Sequence, residues 1–325
     1  MEIGSFIEMQ FPHGNEYYKG DVNIARLNSG RAAIYHAVRV LNCKTVWLPY
    51  YQCNTVRDFL IRKNIQVKYY FQDSGFNPKA IEQEPGEAVV LVNYFGIMSR
   101  SRMVKLAADY DNVIIDNTPA FFCKPIEKCM NVYSTRKFIG VPDGAYVIGN
   151  RADKYVNEYE QCYSSDTAVF LLQRHEYGCE GKTYASRMIN EHRIDEEDIM
   201  KMSTLTRTIL DGTDYNEIIL KRKQNFSTAC RLLNSINSIN PNVYADENIV
   251  PMVYPLIVEN DNLLQVLLKN KHFQSHWWKH LVNEMNSDTF EYWISKYVIP
   301  ITIDQRYGEE ELIELSKIII SNISN

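Results

Sequence analysis

The 325-residue chain lacks the marks of several common protein classes. It has no basic excess: 35 Lys and Arg stand against 40 Asp and Glu, a formal charge of −5. It therefore offers no footprint for a phosphate backbone, and nucleic acid is excluded as a main partner. It has no long apolar run. The longest uncharged stretch, around Val250–Val258, is far short of the roughly 20 residues that a membrane-spanning helix needs, so no membrane is expected. The cysteines, at positions 43, 53, 123, 129, 162, 179 and 230, are odd in number and form no C-x-x-C pair. That argues against a disulfide framework and against a structural zinc site. There is no G-x-G-x-x-G and no G-x-x-x-x-G-K-[ST], which disfavours a dinucleotide site and a phosphate-binding P-loop. The segment Met1–Glu8 carries acids where a signal peptide would carry a basic and then an apolar region, so the expected location is the cytoplasm.

What is present is an ordinary globular composition, 45% apolar and 23% charged, on a chain long enough for two domains. The first half alternates short β-type runs with helical ones. Strands are predicted at 45–48, 67–71, 88–93, 113–116, 131–134 and 145–148, nearly continuous in apolar character, as strands covered on both faces are. Helices are predicted at 31–41, with Ser29 as the capping residue, and at 55–63 and 101–110. This order implies an α/β fold with a mostly parallel central sheet flanked by helices. From about Arg151 to Asn240 the strand signal vanishes and helices take over, ending in 216–233. The last section holds strand-like 252–258 and 297–303 with helices at 261–269 and 309–320, a smaller α+β unit. The expected domains are residues 1–240 and 241–325.

In an open α/β sheet, ligands bind beyond the carboxyl ends of the strands. Asp116 closes the apolar strand Val113-Ile114-Ile115, and Ser134, Arg136 and Lys137 follow the strand around Val132. Ser29-Gly30-Arg31 opens a helix, and a helix start with glycine suits an anion. A carboxylate, a lysine and a phosphate-suited helix start thus fall on one sheet edge. Taken singly, each has an ordinary reading as a turn, cap or solvated loop residue. His272, His276 and His280 recur every four residues, but solvated or core histidines are the default and no metal is expected. Cys53 reads as a structural thiol.

The local sequences resemble the fold-type-I pyridoxal-phosphate (PLP) enzymes, and within them the sugar aminotransferases of the DegT/DnrJ/EryC1/StrS family. Asn28-Ser29-Gly30-Arg31-Ala32-Ala33-Ile34 is similar to that family's Ser-Gly helix start, and Val46-Trp47-Leu48-Pro49-Tyr50-Tyr51 to its strand ending in proline. Val113-Ile114-Ile115-Asp116 matches the strand that carries the pyridinium-binding aspartate. Tyr133-Ser134-Thr135-Arg136-Lys137-Phe138-Ile139-Gly140 with Asp143-Gly144 matches the lysine segment. Val253-Tyr254-Pro255-Leu256, Val298-Ile299-Pro300-Ile301 and 309–320 resemble the small domain. The resemblance covers 28–150 and, less closely, 250–320.

It implies the PLP-transferase type I fold and a PLP-dependent aminotransferase acting on a keto sugar, nucleotide-linked, with an amino-acid donor, in surface polysaccharide or related sugar synthesis. A homodimer is implied too. Lys137 would be the amine that condenses with the cofactor aldehyde, and Asp116 would hold the pyridine nitrogen protonated. The phosphate would meet the backbone N–H groups of Gly30 and Arg31, the Arg31 side chain and the Ser134 hydroxyl. Tyr51 or Tyr50 would supply the stacked ring. One departure stands out. Three residues after Asp116, where the family has Gln or His for the cofactor's 3′-oxygen, stands Pro119, which has no side-chain donor. That keeps open an alternative: a member of the same fold with dehydratase- or eliminase-type chemistry, or none.

Overall fold

The computed structural model describes residues 3–20 and 23–323; residues 1, 2, 21, 22, 324 and 325 of the two expected domains lie outside the described residues. The large sheet has eight strands: β1 (Ile24–Leu27), β2 (Thr45–Pro49), β3 (Gln66–Gln72), β4 (Pro78–Lys79), β5 (Glu87–Val92), β6 (Val113–Asn117), β7 (Met130–Ser134) and β8 (Ala145–Ile148). Their order across the sheet is β1-β8-β7-β6-β5-β2-β3-β4. Parallel pairing joins β3, β2, β5, β6 and β7, while β8 and β4 run against their neighbours. The mostly parallel α/β sheet expected from the sequence is thus observed.

All five residues of β6 and all six of β5 are buried, which is why both read as largely continuous apolar runs rather than as alternation. The edge strand β1 was not expected. Its four residues alternate half-buried and buried around Arg26, a run too short and too mixed to signal a strand. It pairs antiparallel with β8, and Arg26 is held by a bidentate contact to Glu16, with Nε at 2.8 and 3.0 Å from the carboxylate oxygens.

Helices α1 (Gly30–Leu41), α2 (Asn54–Arg62) and α3 (Arg100–Ala107) connect the early strands. Helix α1 forms where the apolar spacing puts Ala33, Ile34, Ala37 and Val38 on one buried face, and it ends at Asn42 in the left-handed region (φ 58°). It packs across β6, β7 and β8. The middle of the chain is helical, as expected: α4 (Val169–Tyr177), α5 (Lys182–Glu196), α6 (Thr204–Asp211) and α7 (Tyr215–Leu233).

The last section carries a two-stranded antiparallel ladder, β9 (Val253–Ile257) with β10 (Val298–Thr302). Around it lie α8 (Leu263–Lys269), α9 (Leu281–Glu284), α10 (Phe290–Tyr297) and α11 (Glu309–Ile323). Helix α7 packs on β9 and α11, so the long helix before residue 240 is the platform of this unit. The two units share one apolar core that runs from Val89 and Ile114 to Tyr254 and Ile299.

Their tightest junction is Gly96, at φ +74°, where a Cβ would sit 3.0 Å from the Met252 amide nitrogen and well inside contact with the Pro119 carbonyl oxygen. The Met252 N–H donates to the Phe95 carbonyl at 2.9 Å in the same place. Both obstacles are backbone, so neither can move aside alone. Gly96→Ala should therefore destabilise the protein by on the order of 2–3 kcal/mol. Urea unfolding is the check, and an unchanged midpoint would contradict this account of the junction.

Candidate active site

Strand β6 brings Asp116 to the carboxyl edge of the sheet, where the carboxylate is buried. One oxygen accepts from the Thr118 N–H at 3.0 Å, and the other from the Gln52 side-chain amide at 3.2 Å. The first bond closes an Asx-type turn at the end of the strand. It sets the Thr118 side chain, whose hydroxyl accepts from Lys137 Nζ at 3.0 Å.

Lys137 lies in the turn after β7. Phe138 and Ile139 N–H donate to the Thr135 carbonyl at 3.0 and 2.9 Å, and Thr135 donates to the Gly144 carbonyl through its own N–H (3.2 Å) and its hydroxyl (2.9 Å). That clamp needs a glycine at 144, where φ is +120° and a Cβ would run into the Thr135 hydroxyl. Asp143 beside it is fully buried and accepts from the Ser203 N–H (2.8 Å), the Ser203 hydroxyl (2.6 Å) and the Thr206 hydroxyl. The lysine turn is thereby tied to the start of α6.

Behind the turn, Arg222 of α7 is 2% exposed and lies 4.5 Å from the Phe138 ring, donating to the Met252 carbonyl at 2.9 Å. Burial lowers its pKa to about 10, still far above neutrality, so the guanidinium keeps its charge. Gln305 completes the backing by donating to the Phe138 carbonyl at 2.9 Å.

The N-terminus of α1 meets the same place. A Cβ on Gly30 would be only 3.2 Å from the Thr118 methyl carbon, so the helix end sits hard against Thr118. The Ser29 hydroxyl accepts from Ala32 N–H and the Ser29 carbonyl from Ala33 N–H. The N–H groups of Gly30 and Arg31 remain at the open end of the helix, where an anion is favoured. Ser134 is buried in register with Ala145, and its hydroxyl has no partner among the described residues.

The Lys137 side chain as a whole is exposed, while the protein packed around its amine withdraws water from that end. That burial pulls its pKa below the ordinary lysine value, against an opposing pull from the Asp116 carboxylate. A lysine with a lowered pKa presents more free amine at neutral pH, which is what a nucleophilic or proton-carrying amine requires.

Of the residues singled out in the sequence, Lys137, Asp116 and Gly30 thus converge on Thr118, and Ser134 ends the strand that leads to the lysine. Two expectations are corrected. The Arg31 side chain is turned away from the helix end and buried on α5, one nitrogen 2.6 Å from Asp195 and the other on the Ile194 carbonyl. Both terminal guanidinium nitrogens are thus engaged within the chain, and the Nε is buried without a partner. Tyr51 is 0% exposed, its ring packed between Tyr94 and Trp278, so it has no free face for a stacked ligand. Tyr50 is stacked on Tyr69 at 4.9 Å. Thr118 and Gln52 were not foreseen. The Asp-x-Thr spacing is a signal that could have found the first, whereas Gln52 comes from a distant loop. Among the described residues no group of His, Cys, Asp or Glu is arranged to hold a metal, and His276 is bound to the Val298 carbonyl at 2.8 Å.

No protein-family model matches the chain, and no curated protein does. Solved structures do. The sugar aminotransferase CalS13 from Micromonospora echinospora aligns over 93% of this chain and 88% of its own, at 15% identity and a TM-score of 0.63. NtdA from Bacillus subtilis, solved with the cofactor PMP, aligns over 93% and 73% at 14% identity and a TM-score of 0.63. A DegT/DnrJ/EryC1/StrS aminotransferase from Brucella abortus aligns over 95% and 88% at 12% identity and a TM-score of 0.61. At such identities the likeness is one of fold, and the fold is the one the local motifs implied.

The lowered pKa of Lys137 has a direct readout. Acylation mapped by mass spectrometry should give Lys137 a labelling midpoint below the ordinary lysine value of about 10.4, and Asp116→Asn, which removes the opposing carboxylate, should lower it further. A midpoint at or above that of the exposed lysines would refute this reading of the amine.

Proposed function

We propose that the chain is a PLP-dependent aminotransferase that moves an amino group from an amino-acid donor to a keto sugar, nucleotide-linked, in surface polysaccharide or related sugar synthesis. The observation that carries the reading is the convergence of Lys137, Asp116 and the open end of α1 on Thr118, within the fold of known sugar aminotransferases.

The residues fit the cofactor. An unpartnered buried oxygen on Gln52, an unbonded Ser134 hydroxyl and two open N–H groups are polar atoms awaiting a ligand. Asp116 would face the ring nitrogen, and the N–H groups of Gly30 and Arg31 with the Ser134 hydroxyl would hold the phosphate. When bound, PLP supplies the electron sink for a carbanion at the substrate carbon.

Lys137 holds and moves the proton, at Nζ, and its depressed pKa keeps a free amine available for that at neutral pH. Thr118 keeps the amine oriented as its hydrogen-bond acceptor. Asp116 is pinned by two neutral donors, Gln52 and the Thr118 N–H, so its charge is positioned without being cancelled. The homodimer reading is supported by exposed apolar side chains on the α4–α5 pair, among them Leu172, Tyr184, Met188 and Ile189.

One observation favours the second reading, altered or lost chemistry. Pro119 offers no side-chain donor, and its carbonyl is closed against Gly96. Adding PLP and an amino donor separates the two. Transamination predicts a visible absorbance band that the donor discharges, and Lys137→Ala should lose the covalent cofactor and lower the rate by roughly 10²–10⁴-fold or more. A band that no amino donor discharges favours the second reading, and covalent cofactor retained in Lys137→Ala would sink the assignment of the lysine.

A further inference from the structure

A second cavity, of about 560 Å³, opens on the other flank of the lysine turn, between Arg136–Val141, the α4–α5 pair, the segment around His272 and α11. The connection from α4 to α5 is the short turn Gly178-Cys179-Glu180-Gly181, with both glycines at positive φ (+77° and +57°). It brings Cys179 to the cavity wall. This thiol differs from the other six. Cys43, Cys129, Cys162 and Cys230 are buried. Burial pushes the thiols of Cys123, Cys162 and Cys230 up to about 11. Cys53 is engaged with the Thr55 hydroxyl at 3.1 Å. Cys179 is half-buried and borders a space that holds an organic molecule.

An observation independent of the cysteine shows that this space is built for a ligand. Thr183, in the first turn of α5, is 4% exposed and lines the cavity, and its hydroxyl has no partner. Buried hydroxyls are normally hydrogen-bonded, so this one calls for an acceptor from outside the chain. One turn further along α5 stands Arg187, whose nearest carboxylate, Glu191 at 3.9 Å, is already held by Arg136. Across from it on α4, the Arg174 guanidinium has no ion pair or hydrogen bond among the described residues. Two guanidiniums and a hydroxyl that donate, beside a thiol, suit a molecule with carboxylates at one end and sulfur at the other.

We propose that Cys179 is a thiolation site, which forms a mixed disulfide with a small carboxylate-bearing thiol of the glutathione class. The carboxylates of that thiol rest on Arg174, Arg187 and the Thr183 hydroxyl. The co-reactant is the oxidised form of the thiol, its disulfide. Cys179 gives its proton to solvent, and its Sγ attacks one sulfur of the disulfide. The Sγ–S bond forms as the S–S bond of the reagent breaks, and the other half leaves as a thiolate that takes up a proton. Cys179 is thereby oxidised and the departing half reduced, and excess thiol reverses the exchange. The bound half lies against Ile139 and Gly140, in the turn that carries Lys137. The site stands on its own residues, whatever chemistry Lys137 performs.

Peptide mass spectrometry of the full chain, timed after addition of glutathione disulfide or of the neutral bis(2-hydroxyethyl) disulfide, tests it. Glutathione should be added at Cys179 ahead of Cys53 and Cys123, and Cys179→Ser should lose that adduct. Arg174→Gln and Arg187→Gln should each slow glutathione addition at Cys179 by about tenfold, and Thr183→Val severalfold. With the neutral reagent the same variants should stay within threefold of wild type, which guards against a folding defect. Arg174→Lys should fall between wild type and Arg174→Gln with glutathione disulfide. No glutathione adduct at Cys179, modification of Cys53 or Cys123 first, or arginine variants that leave the two reagents in their wild-type ratio would overturn the assignment.

Discussion

The hydrogen bond from the Thr118 N–H to Asp116 at the end of β6 is the constraint on which the site depends. It fixes the carboxylate as the strand turns, and it aims a hydroxyl at the Lys137 amine, whose free form its surroundings favour. The close seat of α1 follows from the same turn, where a Cβ at Gly30 would stand 3.2 Å from the Thr118 methyl carbon. Three pieces from three parts of the chain are therefore registered by one residue, Thr118. Gln52 adds a fourth from the loop after β2, holding the second carboxylate oxygen. Packing and hydrogen bonds of this kind are what keep side chains within the tolerance that chemistry needs.

The lysine turn is held from behind as well as from in front. Thr135 and Gly144 close it, and Asp143 ties it to α6. Arg222 and Gln305 reach it from the smaller unit. The α4–α5 pair is fastened to it at few points: Arg136 to Glu191, and the Asn190 side chain to the Pro142 carbonyl at 2.8 Å. The Arg31 guanidinium pairs with Asp195 at the far end of α5. The buried guanidiniums of Arg31 and Arg222 thus act as fasteners between elements.

Much of the fold was legible because buried parallel strands announce themselves as β-branched runs, and each of the eight strands expected is present within about two residues of its predicted bounds. What escaped has a physical reason. Strand β1 is short and half-polar, the two-residue β4 has no periodicity to show, and α9 and α10 sit in an aromatic stretch around Trp277, Trp278 and Trp293 whose spacing does not favour a helix. At the site, residues adjacent to strand ends were found, since topology alone brings them to one edge. Side-chain direction was not: neither the turning of Arg31 toward Asp195 nor the burial of Tyr51 follows from local sequence, because each is decided by a partner far along the chain.

The bond from Gln305 to the Phe138 carbonyl spans 167 residues, and that from Ser203 to Asp143 spans 60. Closing such long loops is slow, and a growing chain cannot close them before their far ends exist. On the ribosome, then, the turn bearing Lys137 can be closed by Thr135 and Gly144 and tied to α6 before the brace from Gln305 exists. An unfinished chain would therefore carry Lys137 without the backing that Gln305 supplies behind its turn.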